Sequence, residues 1–305
     1  MTLPREILPG TFWLVSRRCA QGQFLLRPDD ETNEIFEYCL AEAASRYSIG
    51  LIAWLVMSNH YHGVIYDERG ELPAFLAHLH RNTAKALNAR WGRRENLWSS
   101  EETSLVQLVS LEDIFDKVIY VLTNPIKADL VDTAAHWPGS SSFGHLDAKP
   151  KPRARPRFYF AEAGTMPPAA TLHVHTPHCV DAEIWNARVR EAVARVEEDH
   201  RARRRKTGKR LIGRRAVLSA SPFETVPSPR EPGALRPTVA CKDTSLRAKL
   251  LEHVRAFRAW YRRARREFFG GDLNAEFPPG TYKMRRMGVR CAPFPNGDLM
   301  LAGPA

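Results

Sequence analysis

The segment Thr11 to Arg18, TFWLVSRR, follows a Pro-Gly breaker and alternates in a β-rich pattern, which predicts a strand. From Asp29 to Ile49 acidic residues open a stretch in which Ile35, Phe36, Cys39, Leu40 and Ala43 recur at helical spacing. The apolar run LIAWLVMSN has strand length, and HYHGVIY either continues it or follows after a short bend. Gly70 to Gly92 reads as an amphipathic helix ended by glycine. After a short stretch around LWSSEETSLVQLV comes SLEDIFDKVIYVLTNP, where Ser110 and Asp113 have the spacing of a capping box. Ile114, Phe115, Val118, Ile119 and Leu122 form its apolar face, and Pro125 is expected to end the helix at Asn124. Up to about residue 145 the pattern is α+β: a small, mostly antiparallel sheet with helices covering one face.

Beyond about residue 150 the pattern changes. DAKPKPRARPRFYF (Asp147 to Phe160) combines proline with positive charge and reads as a linker or extended arm. Asp181 to Arg210 predicts a long helix that turns arginine-rich in its last turns, and Ser245 to Phe269 predicts another, with Leu246, Leu250, Val254, Phe257 and Tyr261 on one stripe. The proline-rich SPFETVPSPREPGALRPTV between them is expected to be irregular. The expected organisation is a first domain over 1–148, a Pro/basic linker and arm over 149–180, and a basic, largely helical extension over 181–305.

Charge follows the same division. Residues 1–150 hold 14 Lys and Arg against 19 Asp and Glu, whereas residues 151–305 hold 31 against 15, so the formal charge of +11 resides in the second half. Such a block is the electrostatic footprint of a nucleic-acid partner, or else a solubilising tail. The apolar fraction of 44 % is that of a globular chain, and no run has the length of a membrane span or of a secretory leader, so a cytoplasmic location is expected. Five scattered cysteines with no CxxC pair give neither a disulfide framework nor a cysteine-based zinc site. No phosphate-cradling GxxxxGK[ST] or GxGxxG stretch occurs.

Candidate chemistry starts at His60 and His62. In a strand, side chains at i and i+2 share a face, so two imidazoles can converge on one cation at about 2 Å from each nitrogen. Tyr61 then faces the other way. The plainer alternative is a surface feature at a strand end. Tyr120 and Asn124, four residues apart, stand on one helical face and add a phenol and a neutral carbonyl oxygen. Two imidazoles, an amide oxygen and open positions for phosphate oxygens suit Mg²⁺ or Mn²⁺ better than structural zinc. A second His-x-His, in HVHTPHC (His173 to Cys179), is a rival metal site, but a surface strand and turn is the better expectation there. His78 and His80 are expected to be structural or solvent-facing.

VMSNHYHGVI resembles the His-hydrophobic-His signature of the HUH single-tyrosine endonucleases. YVLTNPIKADLV (Tyr120 to Val131) resembles the tyrosine helix of REP-associated tyrosine transposases and their insertion-sequence relatives, roughly Tyr-x-x-x-Asn-Pro-x-x-Ala-Gly-Leu-Val. Here Asp129 stands where that pattern has glycine, and Tyr61 is the bulky middle residue of the HUH motif. NARWGRRENLWSS and HWPGSSS are similar to further family segments, and the resemblance covers about residues 8–145. It implies a ferredoxin-like catalytic domain that cuts single-stranded DNA. His60, His62 and Asn124 would bind the divalent cation, and Tyr120 would attack the scissile phosphate to leave a 5′-phosphotyrosine and a free 3′-hydroxyl. A free phenol, of pKa about 10, is a poor nucleophile at neutral pH, which is why a cation is needed.

The expected function is therefore a transposase-like single-strand DNA endonuclease and strand transferase acting on hairpin or repeat DNA, as monomer or homodimer, with no membrane partner. The alternatives are another HUH nuclease of replication-initiator or relaxase type, a domesticated hairpin-binding protein that does not cut, and a basic nucleic-acid-binding module. From charge alone, Arg201, Arg203, Arg204, Arg205 and Lys206 in the first basic run, and Arg262, Arg263, Arg265 and Arg266 in the second, are expected to grip DNA.

Overall fold

The computed structural model describes residues 4–178, 180–225 and 237–295. The alternating first segment forms β1 (Thr11–Arg18), and Asp29 caps α1 (Asp30–Tyr47) by accepting a bond from the Thr32 backbone N–H at 2.9 Å. The long apolar run does not continue straight. It reverses at Ser58–Asn59, so that β2 (Ile49–Met57) and β3 (His60–Asp67) form an antiparallel hairpin. Then follow α2 (Leu72–Trp91), closed by Gly92 at φ 62°, and β4 (Ser104–Leu108).

β3 and β4 both pair antiparallel with β1, giving the order β2-β3-β1-β4. A βαββαβ chain with this order is the ferredoxin-like arrangement. The protein is thus α+β, with a sheet that becomes mixed when a strand from the second half joins it.

Strand alternation sends side chains into two cores. Trp13, Val15, Tyr61 and Ile65 meet α1 and α2, whereas Phe12, Leu14, Val64 and Met57 face away from them. Helices α1 and α2 thus share one face, as expected. The other face is also covered, by α3 (Leu111–Leu122) through Ile114, Val118 and Val121. Ser110 and Asp113 form the capping box of α3. The helix stops at Leu122, two residues before the expected end, because Pro125 falls in the first turn of a new short helix, α4 (Asn124–Lys127).

HWPGSSS seals the outer edge of β2. Trp137 Nε1 donates to Val56 O at 2.9 Å, and Trp54 Nε1 donates to Ser140 Oγ at 2.9 Å. Gly139 is obligatory in that contact, since a Cβ there would lie 2.6 Å from Val56 O.

The expected arm contains a short hairpin, β5 (Lys151–Ala154) and β6 (Ala169–Leu172), laid along α1. Beyond it, α5 (Ala182–Thr207) buries Trp185, Val189 and Val193 in the α3-side core. After α6 (Arg214–Ser219), β7 (Val239–Ala240) adds to β4 in parallel as the fifth strand. Helices α7 (Thr244–Phe269) and α8 (Tyr282–Arg286) form a small third core around Phe277. The C-terminal region is largely helical. Residues 226–236, most of the stretch expected to be irregular, and Cys179 lie outside the described residues. Among the described residues the cysteines are free thiols, and no helix is long and apolar enough to cross a membrane.

Candidate active site

β3 begins at His60, so alternation puts His60 and His62 on the α3 face and Tyr61 on the other. The two imidazoles stand nearly perpendicular, with ring centroids 4.8 Å apart. Tyr61 is buried against Phe36 and Trp98, and its hydroxyl lies 2.7 Å from His80 Nε2. Burial pushes the Tyr61 phenol well above its ordinary range.

Each histidine has its Nδ1 engaged. His60 Nδ1 lies 2.7 Å from Asn59 Oδ1, an oxygen that can only accept, so the ring carries its proton on Nδ1 and leaves Nε2 as a lone-pair donor. His62 Nδ1 lies 2.5 Å from Ser16 Oγ, on the directly opposed residue of β1. Burial and then the charge of Arg18 push His60 down to about 4; burial and then His60 push His62 down to about 3. Both rings are therefore neutral near pH 7, the form that ligates metal.

Tyr120, near the end of α3, presents its ring edge-on to His62 with centroids 5.4 Å apart. It is 37 % exposed, which leaves the phenol open to a macromolecular substrate. Lys117 Nζ lies 5.9 Å and Lys127 Nζ 5.5 Å from the centre of that ring. Desolvation and then Lys117 lower the pKa of Lys127, whose side chain is otherwise exposed. Asn124 opens α4 one turn beyond Tyr120 and is half-buried. The structure thus brings His60, His62 and Tyr120 together on one face, with Asn124 on the adjoining helix. Ser16, Arg18, Lys117 and Lys127 escaped the sequence reading. Lys127 lies inside the motif already quoted, whereas Ser16 and Arg18 could be found only from the β1–β3 register.

Asp129 takes the left-handed conformation, φ 54°, which glycine adopts without strain and which Asp tolerates better than most residues. Its carboxylate is 2 % exposed and receives Lys209 at 2.7 Å, Arg204 at 3.6 Å and Arg203 at 3.8 Å. Burial raises this carboxyl, but the three cations outweigh burial and hold it below its ordinary value. The Ile212 backbone N–H donates to Asp129 O at 3.0 Å. Of the first basic run, Arg204 is buried in this cluster, while Arg201, Arg203, Arg205 and Lys206 are exposed. In the second run Arg262, Arg263 and Arg266 are exposed; Arg263 reaches Glu267 at 3.8 Å, and the half-buried Arg265 lies over Phe269 at 4.9 Å.

The rival histidines behave differently. The His173 and His175 rings touch at 4.5 Å, while His178 packs on Tyr66. Among the described residues no group of three or more His, Cys, Asp or Glu converges as a metal site. His78 is buried and bonded to Glu42 at 2.6 Å, whereas His80 is half-buried, its Nε2 2.7 Å from the Tyr61 hydroxyl.

No family model and no curated sequence matches this chain. Three solved structures show distant likeness. A REP-associated tyrosine transposase bound to a REP hairpin has 16 % identity and a TM-score of 0.41, over 49 % of this chain and 86 % of its own. A protein from Deinococcus radiodurans R1 assigned to the transposases has 17 % identity and a TM-score of 0.28, over 35 % of this chain and 85 % of its own. The tRNA(His) guanylyltransferase of Saccharomyces cerevisiae has 15 % identity and a TM-score of 0.33, over 49 % of this chain and 69 % of its own. Since these proteins are named for different activities, function has to be argued from the side chains.

Proposed function

We propose that this protein is a divalent-metal-dependent, transposase-like single-strand DNA endonuclease and strand transferase with Tyr120 as its nucleophile and hairpin or repeat DNA as its substrate. The observation that carries this reading is the shared position of His62, whose ring meets His60 on one side and the accessible Tyr120 on the other.

The donor set fits a hard cation. Both rings are neutral, and at His60 the proton sits on Nδ1, leaving Nε2 to ligate. His60 and His62 would hold Mg²⁺ or Mn²⁺, with Asn124 as a third ligand. Such an ion supplies Lewis-acid polarisation of a phosphoryl oxygen.

The chain's own residues do the rest. The Tyr120 oxygen attacks the scissile phosphorus, losing its proton to solvent, and a P–O bond forms as the bond to the 3′-oxygen breaks. The products are a 5′-phosphotyrosine and a strand with a 3′-hydroxyl. Attack by a DNA 3′-hydroxyl reverses the exchange and returns the phenol, with no external energy source. Lys117 and Lys127 place positive charge beside the ring on which negative charge develops. Arg201, Arg203, Arg205 and Lys206, with Arg262, Arg263, Arg265 and Arg266, supply cation density for backbone contacts that the acidic first half lacks. Arg204 serves from within, as the partner of Asp129.

The test is incubation of labelled hairpin DNA with a single-stranded flank, protein and Mg²⁺ or Mn²⁺. A denaturant-resistant protein–DNA adduct is expected that disappears with chelator and with Tyr120→Phe. An adduct that survives Tyr120→Phe overturns the assignment.

A further inference from the structure

A cleft of about 430 Å³ opens between the end of β1, the segment around 99–105 and α7. We propose that it binds the sugar-phosphate backbone of the single strand on which the site acts, with Arg18 and Arg258 as its phosphate ligands. This rests on the reading of the site as a single-strand DNA enzyme and extends it by naming where the strand runs.

The first argument is continuity. Ser16 lines the cleft and also bonds His62, so a single side chain joins the cleft wall to the histidine pair. Arg18 is opposed to His60 in the β1–β3 ladder and shares its face. A strand whose phosphate lay beside His60 would have its neighbouring phosphate within reach of that guanidinium.

The second argument is how the charges are used. Arg5 reaches Glu102 at 3.8 Å, and Arg17 donates to Ser99 O at 2.9 Å and to Glu101 O, so both belong to the wall. Arg18 and Arg258 make no ion pair among the described residues, and Arg258 Nε is buried there without a hydrogen-bond partner. Two guanidiniums facing one cleft, one with a buried unmatched donor, match the oxygens of successive phosphates. Glu101 and Glu102 oppose an anion, but Glu102 is neutralised by Arg5 and four guanidiniums line the same space.

The third argument is provenance. Arg258 belongs to α7, so the second half of the chain completes the cleft instead of lying apart from it. The net acidic first half alone would offer the strand a much weaker field.

The test uses the full chain carrying Tyr120→Phe, which separates binding from cleavage. Two probes are compared: a blunt DNA hairpin and the same hairpin with a short oligothymidylate tail. The tail is expected to tighten binding. Arg18→Met and Arg258→Met should each cut the ratio of the two affinities about tenfold and lower the salt slope for the tailed probe by about 0.7, the value for one single-strand phosphate contact. Arg18→Lys, with an unfolding midpoint matched to the parent, should keep the slope while losing part of the ratio. A tail that adds nothing, or a ratio unchanged in both Met variants, overturns the proposal. If the native chain forms no adduct on any strand while the ratio still falls, the chemistry proposed for Tyr120 fails and the cleft assignment stands.

Discussion

Ser16 Oγ lies 2.5 Å from Nδ1 of His62, on the residue directly opposed to it across the β1–β3 ladder. That contact fixes the ring's rotation and, when the ring nitrogen donates, leaves Nε2 to point at a cation. Ser16→Ala should weaken Mn²⁺ dependence by about 10- to 100-fold while Tyr120 keeps its place. The check is a Mn²⁺ titration of adduct formation; an unchanged midpoint would refute the orienting role.

Lys127 stands near the ring of Tyr120 together with Lys117. Lys127→Met should slow adduct formation by about 10- to 100-fold with little change in DNA affinity, because the ammonium acts on charge that develops during attack. Lys127→Arg should restore much of the rate. Single-turnover kinetics against binding isotherms would separate the two effects, and a loss confined to affinity would count against the assignment.

Asp129 holds three cations through one buried carboxylate. Asn shares the tolerance of Asp for the left-handed conformation but carries no charge, so Asp129→Asn should cost about 1–3 kcal/mol, chiefly by leaving the buried Arg204 uncompensated. Since the folded carboxyl is held below its ordinary value of 3.8, its contribution is complete above that pH and is lost as pH falls through the lowered folded value. Urea midpoints at pH 7 and below pH 4 should differ more for the native chain than for the variant.

Three histidines are held neutral chiefly by burial: His60 at about 4, His62 at about 3 and His80 at about 3, against an ordinary 6.5. The unfolded chain therefore takes up protons first as pH falls. Stability from these groups is complete above 6.5, declines below it, and levels only near the folded values. Measured by denaturant unfolding, His80→Gln should flatten the slope between pH 6.5 and 4, and an unchanged slope would mean the ring is not kept neutral.

Much of this was legible in the sequence because it is local. Thr11–Arg18 is a strand with the expected bounds, Gly92 closes α2, Ser110 and Asp113 cap α3, and alternation alone puts His60 and His62 on one side. What the sequence concealed depends on pairing. Ser58–Asn59 carries no glycine or proline to announce the reversal between β2 and β3, so the opposition of Ser16 to His62 could not be inferred. The hairpin β5–β6 sits in a stretch whose prolines read as linker, and β7 is too short for any periodicity. The buried role of Arg204 was hidden because an arginine run reads as a solvated face until its acidic partner Asp129, far back in the chain just past the end of α4, is known to lie against it.

The pairing of Val239–Ala240 with β4 bears on how this chain could be dissected. A fragment cut after residue 148 would lose that strand along with Trp185, Val189 and Val193, uncovering both a row of unpaired backbone groups on β4 and the apolar back of α3. Such a fragment is expected to self-associate in sedimentation runs more than the 305-residue chain does, so the first half is not portable and the site around Tyr120 is best studied with the second half attached.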